Sequence, residues 1–211
     1  MRAFHSFLTL SIVAGLATAH AARAAQPAFV WPPALGASYP DLQLPATGGT
    51  SRSLADLKGK VIVVEMIGMN CPACQSWAGA RTKGAFQGVT PQENLEPISE
   101  TFPRYSGVSL DDPRIVYVQM LLFNMQMKAP DARDVKLWND HFNRGRAHPP
   151  IVITASPEML QPRYYEATYG LVPGFQVIDK KGVLRYDATG DHPRENLWRD
   201  VLPHIRALLE E

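Results

Sequence analysis

The fold class of this chain is decided by residues 61–78, which read VIVVEMIGMNCPACQSWA. Residues 61–67 are mostly β-branched and do not alternate between apolar and polar side chains, a pattern typical of a strand buried on both faces of a sheet. Gly68 interrupts that run, and a proline follows Cys71, where it favours the first position of a helix. The two cysteines, Cys71 and Cys74, are therefore predicted to lie on a strand-to-helix turn.

The pattern downstream of this turn alternates between strands and helices. Residues 114–123 have the features of a second buried strand, and residues 131–142 carry apolar side chains at helical spacing. Four further elements are predicted: a short strand or loop at 151–153, a helix over 158–169 interrupted at Pro162, a hairpin of 175–179 with 183–186, and a final helix from about Arg194 with a kink at Pro203. This order predicts an α/β fold.

Composition and charge narrow the classes of function. The chain has 211 residues, of which 45% are hydrophobic and 19% are charged, enough to bury the core of one globular domain. Its 21 Lys and Arg balance 20 Asp and Glu, so the formal charge of +1 provides no field for binding nucleic acid. Only two cysteines occur, which excludes a disulfide-stapled scaffold and a four-thiolate zinc site. The sequence therefore points to chemistry at a single cysteine pair.

The amino-terminal segment has the pattern of an export signal. A run without charge over 7–19 is too short to span a bilayer, and small residues after it would allow cleavage behind Ala21 or, as we prefer, behind Ala24. We predict a signal peptide over 1–24 and one domain over 25–211, located in the periplasm or secreted. An uncleaved anchor is the alternative. No later run approaches the length of a membrane span, so no stable anchor is expected after cleavage.

The position of the two cysteines predicts their roles. Backbone N–H groups and the positive dipole end at a helix amino terminus stabilise a thiolate, which favours Cys71 as a nucleophile with a pKa below the free value of about 8.5. Cys74 lies one turn into the helix, where it is more enclosed and suited to attack a mixed disulfide. A fixed structural disulfide is the alternative, although so short a loop restrains little chain entropy. We interpret the pair as a nucleophile and a resolving thiol.

Glu65 stands inside the first predicted strand, six residues before Cys71. A buried, unpaired carboxylate is costly, and such a group normally responds with a raised pKa that keeps it protonated near neutral pH. The alternative is a carboxylate at a strand edge, which reaches solvent or pairs with a lysine such as Lys128. The buried acid is the interpretation we favour, because a charged group inside an apolar run needs a functional reason.

The chain resembles the thioredoxin superfamily, and within it the redoxin branch, which includes exported thiol-disulfide oxidoreductases and peroxiredoxins. The Cys-x-x-Cys turn, the sequence LKGKV at 57–61 and the hairpin sequence VIDKKGV at 177–183 carry this resemblance, which extends over about residues 36–210. It implies a thioredoxin-like fold, in which helices flank a central mixed β-sheet. Residues 84–113, which hold four prolines, would form an irregular insertion after the active-site helix.

The resemblance also implies roles for individual residues. An acid at the position of Glu65 lies beneath the resolving cysteine and exchanges its proton. A cis proline at the position of Pro173 packs against the cysteine turn and presents the backbone of Val172 to the partner chain. Asn70 occupies a position where family members commonly carry tryptophan, so an unusual recognition surface is expected. We therefore predict Cys71, Cys74 and Glu65 as catalytic residues and Asn70, Val172 and Pro173 as substrate-binding residues.

Together these features predict an exported thiol-disulfide oxidoreductase that cycles between the Cys71–Cys74 dithiol and disulfide and needs no bound cofactor or metal. Its partners would be protein thiols and disulfides. The exported compartment holds no glutathione pool, so a membrane thiol carrier is expected to exchange electrons with the protein. The 84–113 insertion is the candidate contact for a partner, because it leaves the active-site helix directly.

Two alternative functions would use the same cysteines. A copper carrier would bind Cu(I) through both thiols together with Met69 or a histidine, since soft ligands select this ion. A peroxiredoxin-like peroxidase would need a proline and a threonine ahead of its reactive cysteine, and residues 66–70 contain neither. The direction of electron flow, reductase or oxidase, is left open by the sequence between the two cysteines.

Overall fold

A computed structural model describes residues 29–47 and 50–211 of the chain. The predicted signal peptide over 1–24, with both of its cleavage sites, lies outside the described residues. Within the described ranges, no helix combines the length and the apolar character that crossing a membrane requires.

A five-stranded mixed sheet forms the centre of the fold. Its strands are β3 (Val61–Gly68), β4 (Ile115–Phe123), β5 (Ile151–Thr154), β6 (Gly174–Ile178) and β7 (Leu184–Thr189). Their order across the sheet is β5-β4-β3-β6-β7. The first three strands are parallel, whereas β6 and β7 are antiparallel to their neighbours. Every residue of β3 is buried, as a strand covered on both faces requires, so the predicted α/β class and central mixed sheet are confirmed.

Helices and a short hairpin surround this sheet. They are β1 (Gln43–Thr47), β2 (Thr50–Ser53), α1 (Pro72–Ala78), α2 (Ala80–Lys83), α3 (Ile98–Ser106), α4 (Ala132–Trp138), α5 (Pro162–Tyr169) and α6 (Ile205–Glu210). Shorter helical turns accompany them at Leu54–Leu57 after β2, at Asn139–Asn143 after α4, and at Leu197–Val201 and Leu202–His204 before α6.

The segment over 84–113, predicted to be irregular, contains the nine-residue helix α3. Ile98 and Phe102 lie one helical turn apart, and both are buried in the apolar cluster that includes Val61 of β3. Because these contacts join residues far apart in the sequence, packing stabilises a helix that the local prolines made hard to recognise.

Two other helices also differ from the prediction. Pro162 begins α5 instead of interrupting a helix over 158–169, because a proline lacks the N–H group that later helical positions need. The single helix predicted from about Arg194 is divided into two short turns and α6, and Pro203 lies in the second of these turns. The strand at 151–153, which the sequence left undecided, is β5.

Apolar cores cover both faces of the sheet and the carboxyl end of β3. Ile62 faces one core, which Trp31 helps to close from the amino-terminal side. Val61 faces the opposite core, which α3 and α6 close. A third cluster holds Cys74 together with Trp138 of α4. The cysteine turn is therefore packed on well-buried side chains at the end of a central strand.

Candidate active site

The two cysteines lie where β3 is followed by α1. The strand ends at Gly68, Cys71 caps the helix, and Pro72 occupies the first helical position, where a missing N–H costs nothing. The Sγ atom of Cys71 accepts a hydrogen bond of 3.3 Å from the backbone N–H of Cys74. The predicted strand-to-helix turn is confirmed, and it brings both thiols to one end of a central strand.

The two thiols differ in exposure. Cys71 is half-buried and Cys74 is fully buried, and both are free cysteines. The Sγ atom of Cys74 points toward the carbonyl oxygen of Met66, at 3.8 Å. A partner molecule can therefore reach Cys71, but it cannot reach Cys74 without displacing the turn.

The pKa values of the two thiols move in opposite directions. The pKa of Cys71 falls to about 7, chiefly because the Cys74 side chain hydrogen-bonds to it; burial opposes the fall, and the backbone amides of Ala73 and Cys74 assist it. Burial raises the pKa of Cys74 well above its ordinary value, and the charges of Cys71 and Glu65 raise it further. At neutral pH Cys71 is therefore partly thiolate, whereas Cys74 keeps its proton.

Alkylation of the reduced protein should consequently be selective. We expect iodoacetamide at about pH 7 to modify Cys71 at least about tenfold faster than Cys74, because only Cys71 is both ionised and within reach. The rate at Cys71 should rise with pH and reach half of its maximum near pH 7. Mass spectrometry after timed labelling measures both rates, and the Cys71→Ser variant reports Cys74 alone. Equal rates at the two positions would remove the nucleophile assignment.

Glu65 is fully buried within β3. Its Oε2 atom accepts hydrogen bonds from the Tyr117 hydroxyl and, at 3.0 Å, from Nε2 of Gln119, both on the neighbouring strand β4. Burial raises the pKa of this carboxyl group to about 7, and the two donors limit the rise. Full burial rules out the alternative of a strand-edge carboxylate that reaches solvent or pairs with Lys128.

The loop before β6 packs against the cysteine turn. The Val172–Pro173 peptide bond is cis, as the family resemblance implied. A Cβ atom at Gly68 would lie 3.3 Å from Cγ1 of Val172, a tighter contact than most Cβ atoms make, so the two segments approach closely. The carbonyl oxygen of Pro173 accepts a hydrogen bond of 2.9 Å from the N–H of Gly190, which ties the loop to the end of β7. Two of the predicted substrate-binding residues are thus brought to the turn.

Asn70, the third predicted substrate-binding residue, is half-buried and directly precedes Cys71. Its Nδ2 group donates to Sδ of Met127 over 2.9 Å. Met127 itself has a φ of 58°, in the left-handed region that residues other than glycine rarely adopt. The Asn70 amide therefore connects the cysteine turn to the loop after β4.

A copper site would need Met69 or a histidine beside the two cysteines. Met69 is fully buried in the same cluster as Cys74, and His141 contacts the carbonyl oxygen of Gly84 at 2.8 Å. Across residues 29–47 and 50–211, no group of three or more His, Cys, Asp or Glu side chains is placed to hold an ion. Among the described soft ligands, Met69 and Cys74 share this cluster, and Cys71 packs against it.

Tyr117 and Gln119, which hydrogen-bond to Glu65, were not found from the sequence. Gln119 pairs directly with Glu65 in the parallel register of β3 and β4, and Tyr117 lies two positions earlier on the same face. One feature of the sequence could have indicated them: Gln119 lies inside the apolar run at 114–123, and a buried amide needs hydrogen-bond partners. Identifying Glu65 as that partner required the register.

Known proteins similar to this chain include a thiol:disulfide interchange protein and solved structures with a thioredoxin-like fold. No protein-family model matches the chain. The thiol:disulfide interchange protein DsbE of Pseudomonas aeruginosa is 25% identical over 186 residues, which cover 84% of this chain and 78% of that protein. A solved thioredoxin-like superfamily protein is similar with a TM-score of 0.50 and 23% identity, over 82% of this chain and 97% of its own. A Bacteroides thetaiotaomicron protein assigned as a protein disulfide isomerase gives a TM-score of 0.50 and 13% identity, over 84% and 91%.

The similar structures support the fold, whereas the curated relative supports the class of chemistry. The structures share the thioredoxin-like fold. The similarity to the interchange protein extends over most of both chains, and in this chain it includes a Cys-x-x-Cys turn at the end of a buried central strand. The chain is therefore similar to a thiol:disulfide interchange protein and has a thioredoxin-like fold, which supports the resemblance to redoxin-type proteins of the thioredoxin superfamily.

Proposed function

We propose that this chain, an oxidoreductase of the thiol-disulfide class, exchanges its Cys71–Cys74 dithiol and disulfide with protein partners outside the cytoplasm. The asymmetry of the two thiols carries the proposal. Cys71 is half-exposed with a pKa of about 7, whereas Cys74 is fully buried with a raised pKa. Exchange through a mixed disulfide needs one accessible thiol that attacks the partner and a second, buried thiol that later resolves the mixed disulfide.

In the reducing direction, the reaction begins at Cys71. Its thiolate attacks one sulfur of the partner's disulfide, which forms a bond between that sulfur and Cys71 and releases the other partner sulfur as a thiolate. Before the attack, the hydrogen bond from the Cys74 N–H to Cys71 stabilises the negative charge. The product is a mixed disulfide in which the partner covers Cys71.

The second step releases the partner through Cys74. Glu65 takes the proton of the Cys74 thiol, whose raised pKa would otherwise keep it neutral. The Cys74 thiolate then attacks Sγ of Cys71, the Cys71–Cys74 bond forms, and the partner leaves as a second thiolate. Two electrons have passed to the partner, and the same steps in reverse oxidise a partner dithiol.

The partner chain is proposed to bind beside the loop that holds the cis proline. Asn70, Val172 and Pro173 border the turn, and all three residues are half-buried. The 84–113 segment approaches from the side of α1: the backbone N–H of Gln92 donates to the carbonyl oxygen of Pro72 at 3.2 Å. This contact supports a role for the segment in partner binding.

The protein is proposed to act outside the cytoplasm and to exchange electrons with a membrane thiol carrier. The pattern at 1–24 supports export to the periplasm or to the outside of the cell, and the mature protein would need no membrane anchor. A cysteine pair in that compartment meets no glutathione pool, so a membrane thiol carrier would reset it after each cycle. The sulfur chemistry requires no bound cofactor.

An insulin-reduction assay tests the activity and separates it from copper binding. We expect the purified protein to accelerate reduction of insulin by dithiothreitol, and one equivalent of Cu(I) to inhibit this reaction by occupying Cys71 and Cys74. The Cys71→Ser variant is the control for uncatalysed reduction. A protein isolated with tightly bound copper, without detectable exchange, and with more than about a tenfold loss of affinity in Met69→Leu would instead support the copper carrier.

A further inference from the structure

One oxygen of the Glu65 carboxyl group carries all of its hydrogen bonds. Oε2 accepts from the Tyr117 hydroxyl and from Nε2 of Gln119. Oε1 is buried and has no hydrogen-bond partner among the residues that the structure describes. The two oxygens of an isolated carboxylate are equivalent, so the protein has made them chemically different.

The direction in which the Gln119 amide points is set by groups outside β3 and β4. Its Oε1 accepts from the indole Nε1–H of Trp138 at 3.2 Å and from Nδ2 of Asn143 at 2.9 Å. An indole N–H can only donate, so the amide oxygen must face Trp138, and the amide NH₂ must then face Glu65. Asn143 is held in turn by Asn139, whose Oδ1 accepts from the same Nδ2 at 3.0 Å.

We infer that Tyr117 and Gln119 are positioning residues for Glu65, which hold Oε2 and leave Oε1 as the atom that takes the proton of Cys74. The inference rests on the proposed function, in which Glu65 is the proton acceptor. In this transfer the S–H bond of Cys74 breaks and an O–H bond forms at Oε1. The negative charge moves from the carboxylate to the thiolate that attacks Cys71.

The same two donors keep the carboxyl group able to ionise. Tyr117 and Gln119 of β4 hydrogen-bond to Glu65, the charges of Cys71 and of Arg146 after α4 act on it, its own charge acts on Cys74, and the apolar Phe175 lies opposite it on β6. Burial and the charge of Cys71 raise the Glu65 pKa, whereas the two donors and Arg146 lower it. Tyr117 stays a donor because burial raises its own pKa. Without the donors, the Glu65 pKa would rise further, and the carboxyl group would be mostly protonated at neutral pH.

A two-phase reaction with an aromatic disulfide, such as dithiobis(nitrobenzoate), separates the steps. Release of the first aryl thiolate reports attack by Cys71, and release of the second reports resolution by Cys74. In Tyr117→Phe we expect an unchanged first phase and a second phase about fivefold slower at pH 7, mostly recovered by pH 9. These values follow from losing one hydrogen bond to a charged group, which should raise the Glu65 pKa by about one unit.

Carboxyl carbon NMR gives a second readout. The Glu65 resonance, identified by its absence in Glu65→Gln, should titrate about one pH unit higher in Tyr117→Phe and should also move upward in Gln119→Met. Tyr105→Phe, at an exposed tyrosine of α3, is the matched control and should change neither the titration nor the rates.

Double variants separate positioning from a general structural effect. If Tyr117 acts through Glu65, Tyr117→Phe should slow the second phase in the wild-type background and have no effect in the Glu65→Gln background. Equal slowing in both backgrounds, or a Glu65 titration that does not move in Tyr117→Phe, would overturn the inference. A wild-type second phase in Glu65→Gln would overturn the acceptor role itself, which is a failure of the proposed function and with it of the inference.

Discussion

Replacing Cys74 with serine should stop the reaction at the mixed disulfide. We expect Cys74→Ser to lower insulin-reduction turnover by at least about a hundredfold, because an oriented neighbouring thiol is worth an effective concentration far above that of any external dithiol. The trapped species should be visible as a covalent complex on non-reducing gels, with the partner joined to Cys71. Peptide mass spectrometry of that complex identifies the linked sulfur.

Cys71→Ser is the matched variant for this trap. Cys74 is fully buried and its pKa is raised, so it should neither attack a partner nor accumulate a complex. Turnover should fall to the uncatalysed rate. If Cys71→Ser captured as much partner as Cys74→Ser, the roles of nucleophile and resolving thiol would have to be exchanged or abandoned.

Glu65→Gln should selectively slow the release of the partner. We expect the second phase of the aromatic disulfide reaction to fall about a hundredfold near pH 7, a common effect of losing a general base, while the first phase stays near the wild-type rate. In the wild-type protein, this second phase should rise with pH through about 7, as Glu65 loses its proton. The amide cannot titrate, so that rise should disappear. Glu166→Gln, at an exposed position of α5, is the control.

The stability of Glu65→Gln shows whether the slower release is a folding defect. The folded-state pKa of Glu65 is raised from 4.5 to about 7, so between these values the folded chain holds this proton more tightly than the unfolded chain does. This residue therefore lowers the free energy of unfolding as the pH rises through that window, by about 3 kcal/mol in total for a pKa raised to about 7. Glutamine does not ionise, so the variant does not lose free energy of unfolding as the pH rises. Denaturation at pH 8 should therefore show a variant at least as stable as the wild type. A variant that is less stable there, with both phases slowed equally, would contradict the assignment.

The fold class and the position of the thiols could be predicted because they depend on local features. A continuous β-branched run indicates a doubly covered strand, and a proline at a helix start indicates where α1 begins. The burial of Glu65 followed from its apolar neighbours. The cis bond at Pro173 was different, because only the family resemblance indicated it.

Elements that depend on long-range packing were predicted less well. The helix α3 lies in a proline-containing segment, and its burial against β3 and α6 stabilises it. The contact between Asn70 and Met127 joins two loops that are 57 residues apart in the chain. Local propensity carries no information about such pairs, since either loop could adopt many conformations alone.

By itself, the sequence determined the strand–turn–helix unit, the order of the two cysteines and the presence of an acid inside the central strand. Only the tertiary structure decided which groups surround that acid. Tyr117 and Gln119 face Glu65 because β3 and β4 pair in one register, and a shift by a single residue would turn both side chains to the other face of the sheet. Trp138 and Asn143 then orient Gln119 from the region of α4. Hydrogen bonds between distant residues require a fixed register and fixed packing, and these arise only when the whole sheet and its helices have assembled.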